Sequence, residues 1–439
     1  MAAEETTKTQ QTEVGSVFIS NYPPFSGWHE RAVDPLRDVF ATPPAHEHPL
    51  GLYVHIPFCR KRCKFCYFKV YTDKNSKQIQ RYVDALITEM GRISQVPAVQ
   101  GRKPKFLYIG GGTPSYISAK HLRRLFEGLR ENWSFEAMEE VTFECEPGTL
   151  TEAKLDAIRE VGVTRLSLGV ENFDDAILSE NGRAHLSGEI YRVLPWIKAR
   201  GFDQLNIDLI AGMVGETEDN WQQNIEKAIE VDPDSITIYQ MELPYNTVYS
   251  KGLLQGAEGE VFADWQTKRA WHSEAIDRLQ DAGYAISSAY TMVKKNSPSR
   301  FVYRDALWHG ADLLPLGCSS FGHLGGIHYQ NHPSIERYIE AVEAAELPVR
   351  RAYQTSERDR LIRETILQLK LGELDPKGLN EKFGVNLLET FDEALTHWQA
   401  ADMLKVTDGR ITLTRRGLLQ VDSLLPEFYD AQWRTARYT

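Results

Sequence analysis

The sequence predicts an α/β protein: a partial (β/α)6 barrel, with an N-terminal extension before it and a small winged-helix-like α+β domain after it. Three observations carry this. Six short apolar runs rich in β-formers recur from residue 50 onward, each followed by a stretch with helical periodicity. Polar residues and glycines follow every run, as they do on the C-terminal face of parallel βα barrels. Past about residue 345 the alternation stops, and helices with one short hairpin take over.

The elements follow in order. Residues 1 to about 14 are polar and read as mobile. Residues 15–48 hold Tyr22, Pro23, Pro24, Trp28, Pro43 and Pro44 and read as an irregular segment packed on something larger, so 1–48 is taken as the extension. The barrel is taken as 49–345. Strands are expected at 52–56, 106–109, 141–145, 165–170, 205–210 and 235–239, with helices at 77–94, 118–131, 151–160, 187–200 and 218–230 between them. A helix at about 261–283 and a strand at 284–290 complete it. The C-terminal domain is taken as 346–439. It has helices at 358–371 and 387–401, a hairpin turning at Asp408-Gly409, and a helix from about 415.

Composition narrows the function. Lys+Arg is 50 against Asp+Glu 61 in 439 residues, a net charge of −11, which argues against bulk nucleic-acid binding. No apolar run reaches the ~18 residues of a membrane span, and the N-terminal residues lack a signal-peptide core, so the cytoplasm is the expected compartment. Of the five cysteines, three crowd after the first strand as Cys59-Arg-Lys-Arg-Cys63-Lys-Phe-Cys66. Zinc sites favour four ligands in paired units, and no fourth thiol or imidazole lies nearby. Three thiolates on one loop suit a cubane iron–sulfur cluster with one open iron. The flanking Arg60, Lys61, Arg62 and Lys64 lead us to expect lowered thiol pKa values. The other strands end on Gly110-Gly-Gly-Thr-Pro114, on Glu144 and Glu146, on Glu171 and Asn172, on Asp208, and on Gln240 and Glu242. The Gly110–Gly112 run fits neither a Walker nor a Rossmann loop.

The three cysteines after a first strand resemble the radical SAM superfamily. The strings Leu52-Tyr-Val-His-Ile-Pro-Phe-Cys59, Gly110–Pro114, Leu168-Gly-Val-Glu-Asn-Phe173 and Asn206-Ile-Asp-Leu-Ile210 resemble its oxygen-independent coproporphyrinogen III dehydrogenase-like family. Residues 362–430 resemble that family's C-terminal domain more loosely. The resemblance implies a radical SAM barrel whose [4Fe–4S] cluster is held by Cys59, Cys63 and Cys66. It also implies S-adenosylmethionine (SAM) as cofactor, with a second SAM beside the first. Tyr53 would approach the sulfonium. Gly110, Gly111 and Gly112 would meet the amino-acid end, where glycine lets backbone approach a ligand, and Phe65 and Thr113 are further cofactor-binding candidates. Glu144 would hold ribose or amine, Glu171 stands where the family often has Gln, and Arg183 and Asp208 match further polar contacts. Ile210, Ala211 and Gln240–Leu243 would face the second SAM.

Two departures sort the family's reactions. Phe68 stands where the dehydrogenases carry a fourth cysteine, and Tyr303-Arg-Asp-Ala-Leu-Trp308 lacks the leading histidine of the heme-chaperone segment. The leading expectation is therefore C-methylation or cyclopropanation of an unsaturated or aromatic small molecule. Porphyrinogen oxidation comes second and heme delivery third. Tyr239, Glu242 and Tyr245 are the candidate proton acceptors, and a flavodoxin or ferredoxin is the implied electron donor. His309, His323, His328 and His332, near Tyr303, Trp308 and Cys318, read either as a lining for a flat substrate or as loop packing. Cys318 reads as structural.

Overall fold

All six apolar runs form strands because each alternates with an amphipathic helix that covers one sheet face. The computed structural model describes residues 11–46, 48–256 and 261–436. Strands β1 (Leu50–Ile56), β2 (Phe106–Gly111), β3 (Glu140–Cys145), β4 (Arg165–Glu171), β5 (Gln204–Ala211) and β6 (Ser235–Gln240) pair in that order, all parallel. Helices Ser76–Ile93, Ala119–Asn132, Glu152–Glu160, Ser187–Arg200 and Glu218–Val231 make the crossovers. Four of their starts are set by side-chain caps, from Asn75, Ser118, Thr151 and Thr217.

The sheet goes further than the six expected strands. β9 (Asp312–Leu316) lies parallel to β1 on its outer side. Beyond it β10 (Phe321–Leu324), β11 (Ile327–Asn331) and β12 (Val349–Gln354) run antiparallel. At the other edge the expected strand at 284–290 is instead a hairpin, β7 (Tyr284–Ile286) and β8 (Thr291–Lys294), with β8 antiparallel to β6. Ser288 makes the break: its hydroxyl accepts from the amides of Tyr290 and Thr291, closing a turn inside a run with strand-like composition. The two edges of the twelve-stranded sheet do not pair, so the barrel is partial. β12 belongs to this sheet, which therefore extends past the boundary expected at 345.

Close packing fixes the start of the barrel. A Cβ on Gly51 would lie 1.9 Å from the Phe106 ring of the neighbouring strand. Gly51→Ala should therefore lower stability by about 1–3 kcal/mol, measurable by denaturant unfolding, because the ring has to move in a filled core.

The C-terminal unit carries helix Glu357–Leu369, helix Lys377–Phe383, and the hairpin β14 (Leu404–Thr407) and β15 (Arg410–Leu413). Asp408 and Gly409 have φ of +52° and +78°, the turn their dipeptide predicts. A third strand, β13 (Glu373–Leu374), pairs with β15. The helix expected at 387–401 breaks at Phe391 into Leu387–Thr390 and Asp392–Ala400. The extension is less irregular than expected, since it contains the helix Val33–Phe40, whose Leu36 and Phe40 enter the barrel core. Ile19 and Tyr22 enter the C-terminal core. The expected mobility of the first residues falls partly on 1–10, outside the described residues. Thr12 is tied down: its hydroxyl donates to the Ala263 carbonyl and accepts from Lys268.

Candidate active site

A chamber of about 490 Å³ opens at the C-terminal ends of the parallel strands. Three parts of the chain build it. Its floor and walls come from the loops after β1 to β6. Residues 16–18 cross it from the N-terminal side, and residues 418–423 close it from the C-terminal domain.

The loop after β1 brings Cys59, Cys63 and Cys66 to the chamber wall. Backbone bonds from Cys59 to Tyr71 and from Lys64 to Asn181 hold it at 3.1 Å each, and Cys66 turns back onto Cys63 at 3.2 Å. Two donors point at sulfur: the Thr113 hydroxyl at 3.3 Å from Cys59 Sγ, and the Arg183 guanidinium at 3.4 Å from Cys63 Sγ. The expected lowering of the thiol pKa values is not found. Burial pushes Cys59 up to about 12 and Cys66 up to about 11. The basic residues of the loop are engaged elsewhere, Arg60 with Gly148 O, Arg62 with the carbonyls of Cys66 and Asn246, and Lys64 with Glu180.

Glycines at the end of β2 and just past it close on protein groups rather than leaving open space. A Cβ on Gly112 would lie 3.0 Å from Cys59 Sγ. One on Gly110 would lie 2.7 Å from the Tyr108 ring, and one on Gly111 2.7 Å from the His55 ring. Gly111 also has φ +118°. Its amide donates to Glu144 at 3.1 Å, and the Tyr108 hydroxyl donates to the same carboxylate at 2.6 Å. Burial raises Glu144 to about 7. Asp208 accepts from Ser167 and Asn206 at 2.9 and 3.0 Å, and burial raises it too.

Glu171 sits at a bulge in β4 with left-handed backbone, φ +64°, which aims its side chain at Arg183, 3.4 Å away. Burial raises it to about 7. Phe65, Thr113 and Ile210 line the chamber, as do Tyr239 and Glu242. Tyr53, Gly110 and Tyr245 do not. Tyr53 faces the barrel interior, where its hydroxyl meets His55 Nδ1 at 3.2 Å and its ring stacks on Tyr108.

Glu242 holds the crossing segment, accepting from the Ser16 hydroxyl at 2.5 Å and the Val17 amide at 3.2 Å. Burial raises it to about 7. The folded form thus keeps a proton that the unfolded chain has already lost above the ordinary carboxyl range. That contribution is whole at low pH and disappears as pH climbs through 7. Glu242→Gln keeps an acceptor but does not titrate. It should nearly match the unsubstituted protein near pH 5 and exceed its stability by roughly 1–2 kcal/mol at pH 8, read by denaturant unfolding at the two pH values.

Of the four histidines expected as a possible substrate lining, none lines the chamber; His309 is exposed, His332 is half-buried, and the other two are packing. His323 and His328 are buried against each other, Nδ1 to Nδ1 2.9 Å, and His328 stacks on Trp28 at 5.4 Å. Among the described lining residues there is no histidine. Tyr303 and Trp308 also lie off the chamber, with Tyr303 stacked on Tyr108 at 4.3 Å. Cys318 is buried beside Tyr82, away from the chamber. The reading from strand ends missed Tyr67, Tyr108, Trp265, Arg269, Tyr290 and Asp422, all on the lining.

The donor set fits an iron–sulfur cluster and a nucleotide. Thiols with aimed N–H and O–H donors suit cluster thiolates. Among the described residues no three His, Cys, Asp or Glu side chains converge as a single-ion site requires. A cluster takes each thiolate on a different iron and does not ask for that. Arg183 Nε is buried without a protein partner beside this wall, a donor left for a ligand.

Comparison with known proteins agrees. Residues 53–228 match the family model described as Radical SAM superfamily, and residues 355–419 that described as HemN C-terminal domain. The chain thus carries a radical SAM domain followed by one like the HemN C-terminal domain. Over 389 residues, 87% of this chain and 98% of the relative, it is 28% identical to heme chaperone HemW of Lactococcus lactis. It is 27% identical over 384 residues to oxygen-independent coproporphyrinogen III oxidase of Salmonella typhimurium, covering 85% and 82%. The solved structure of coproporphyrinogen III oxidase (HemN) from Escherichia coli superimposes with a TM-score of 0.82 at 25% identity, over 95% of this chain and 99% of that one. The expectation of methyl or methylene transfer finds no support among these relatives, whose names are those of coproporphyrinogen oxidases and heme chaperones. Among the described residues no helix is long and apolar enough to cross a membrane.

Proposed function

We propose that this chain oxidises a carboxylate-bearing tetrapyrrole of the porphyrinogen type: removal of a side-chain hydrogen atom leaves a carbon radical, which loses carbon dioxide to become a vinyl group and passes its remaining electron to a one-electron acceptor such as the oxidised electron carrier. The observation that carries the reading is the near full-length superposition on a coproporphyrinogen III oxidase, over a chain whose own C-terminal unit lines the cysteine chamber. The heme-delivery reading is less well supported, since the chamber's described lining offers no imidazole for heme iron and His323 and His328 are sealed in packing.

When bound, the cluster and SAM supply one-electron cleavage to a carbon radical able to take a hydrogen atom from an unactivated C–H bond. Cys59, Cys63 and Cys66 would hold the irons. Gly112, Thr113, Glu144, Glu171, Arg183 and Asp208 would surround SAM, the carboxylates accepting from its amine and hydroxyls. Ile210 and residues 240–242, expected to face a second SAM, border the side left for substrate. The segment at 16–18 and residues 418–423 exclude water, which would otherwise quench a radical and loosen every polar contact. Tyr239, 42% exposed within the chamber, offers a ring face to a pyrrole ring of the substrate. An electron donor of the flavodoxin or ferredoxin type completes the reading.

The test is product counting. Anaerobic, reduced protein given SAM and coproporphyrinogen III should release carbon dioxide, 5′-deoxyadenosine and methionine in step, without S-adenosylhomocysteine. S-adenosylhomocysteine in step with 5′-deoxyadenosine would instead return the reaction to methyl transfer. Stoichiometric heme binding without SAM turnover would make the chain a carrier.

A further inference from the structure

Four arginines line the chamber, and three are engaged by the protein itself. Arg60 donates to Gly148 O at 2.8 Å and reaches Glu189. Arg62 donates to the Asn246 and Cys66 carbonyls. Arg183 donates to Gly169 O and Cys63 Sγ and faces Glu171. The fourth, Arg269, stands in the second turn of the helix Trp265–Asp281 that follows β6. Its Nε is buried without a hydrogen-bond partner, and among the described residues no carboxylate is paired with it. Its one described neighbour of note is the Trp265 ring, 5.6 Å from the guanidinium carbon.

The acids on the same chamber do not answer it. Glu242 is taken by Ser16 and Val17, and Asp422 by Lys370, Ile19 and Tyr290. Withdrawing a guanidinium edge from water without an acceptor costs stability, and a ligand carboxylate would offset that cost by bidentate bonding. The chamber also presents a flat apolar surface, since Tyr239 stacks on Tyr290 with centroids 6.3 Å apart and planes 23° from parallel.

We propose that Arg269 anchors a carboxylate of the substrate while one of its pyrrole rings lies against the Tyr239 and Tyr290 rings. The proposal rests on the tetrapyrrole reading above and adds the point that fixes orientation. Trp265 walls the guanidinium and limits its rotation. Arg269 would then decide which edge of the macrocycle faces the cysteine loop.

The probes are coproporphyrin III, a stable tetracarboxylate, and its tetramethyl ester, each titrated by fluorescence into the full chain under the same detergent conditions. Arg269→Gln should weaken tetracarboxylate binding about tenfold, a typical loss for a charge-assisted bond to a charged group. Arg269→Lys should recover most of it, and ester binding should be equal in all three proteins. Equal tetracarboxylate binding by the Arg269→Gln variant and the unsubstituted chain overturns the anchor while leaving the tetrapyrrole reading in place. An equal loss of ester binding also overturns it, because a charge-specific contact cannot cause that. Failure of the unsubstituted chain to bind either porphyrin overturns both.

Discussion

Cys63→Ala should abolish SAM cleavage and bring iron and sulfide after anaerobic reconstitution to background. The thiol sits mid-loop, between the sulfur that Thr113 supports and the one that follows in the backbone turn at Cys66. Removing it leaves two ligands on one edge of the loop, too few to hold three corners of a cubane. It also leaves the buried Arg183 guanidinium, whose Nη1 is bonded to Cys63 Sγ, with an unmet donor. Absorbance near 400 nm, iron assay and 5′-deoxyadenosine release read the three consequences separately. Cys318→Ala is the control, since that thiol is buried beside Tyr82 away from the chamber, and it should keep the cluster. A Cys63→Ala protein with full iron content would refute the assignment of the cluster to this loop.

Lys370→Met should cost about 3–5 kcal/mol, the largest stability effect we expect from one side chain. Lys370 is 1% exposed, pairs with Asp422 at 2.8 Å and donates to the Ile19 carbonyl. Its ammonium also lies 4.2 Å from the Phe18 ring centroid and 5.0 Å from that of Tyr290. One cation thus joins the crossing segment, the barrel hairpin and the C-terminal unit. Without it the Asp422 carboxylate keeps only the Ile19 amide and the Tyr290 hydroxyl while remaining nearly buried. The double variant Lys370→Met, Asp422→Asn should recover part of the loss, because no lone charge then stays inside. Urea unfolding gives the energies. Limited proteolysis near residues 14–20 should accelerate in the single variant if the segment is released. A double variant no more stable than the single one would show that the pair does not act as described.

These two positions also mark what could be read in the chain. Cys63 was legible because three sulfurs within eight residues form a local pattern, and the six parallel strands were legible because each is a local apolar run with a helix after it. Glu144, Glu171 and Asp208 were reachable by the rule that strand ends face the site. Asp422, Arg269 and the crossing segment were not, since nothing near them in sequence differs from ordinary surface chain. Their positions come from contacts spanning hundreds of residues, such as Ile19 to Asp422. The histidines misled because closeness in sequence does not say which way a side chain points. His323 and His328 occupy facing positions of β10 and β11 and turn inward together. The cysteine pKa values misled for the opposite reason: neighbouring charges are visible in a sequence, but burial is not, and here burial is the larger effect.

The chamber's roof is made from chain that is synthesised more than 350 residues after the thiol loop. While the polypeptide is still leaving the ribosome, the thiol loop is already complete, but residues 418–423 do not yet exist to cover it. Metal delivery thus has an interval in which the three sulfurs stand open to a donor protein. Once the Lys370–Asp422 tie forms, the same delivery has to pass through a closed cover. An enzyme produced faster than iron and sulfide arrive would then accumulate as a folded, empty form that is harder to load than the nascent chain.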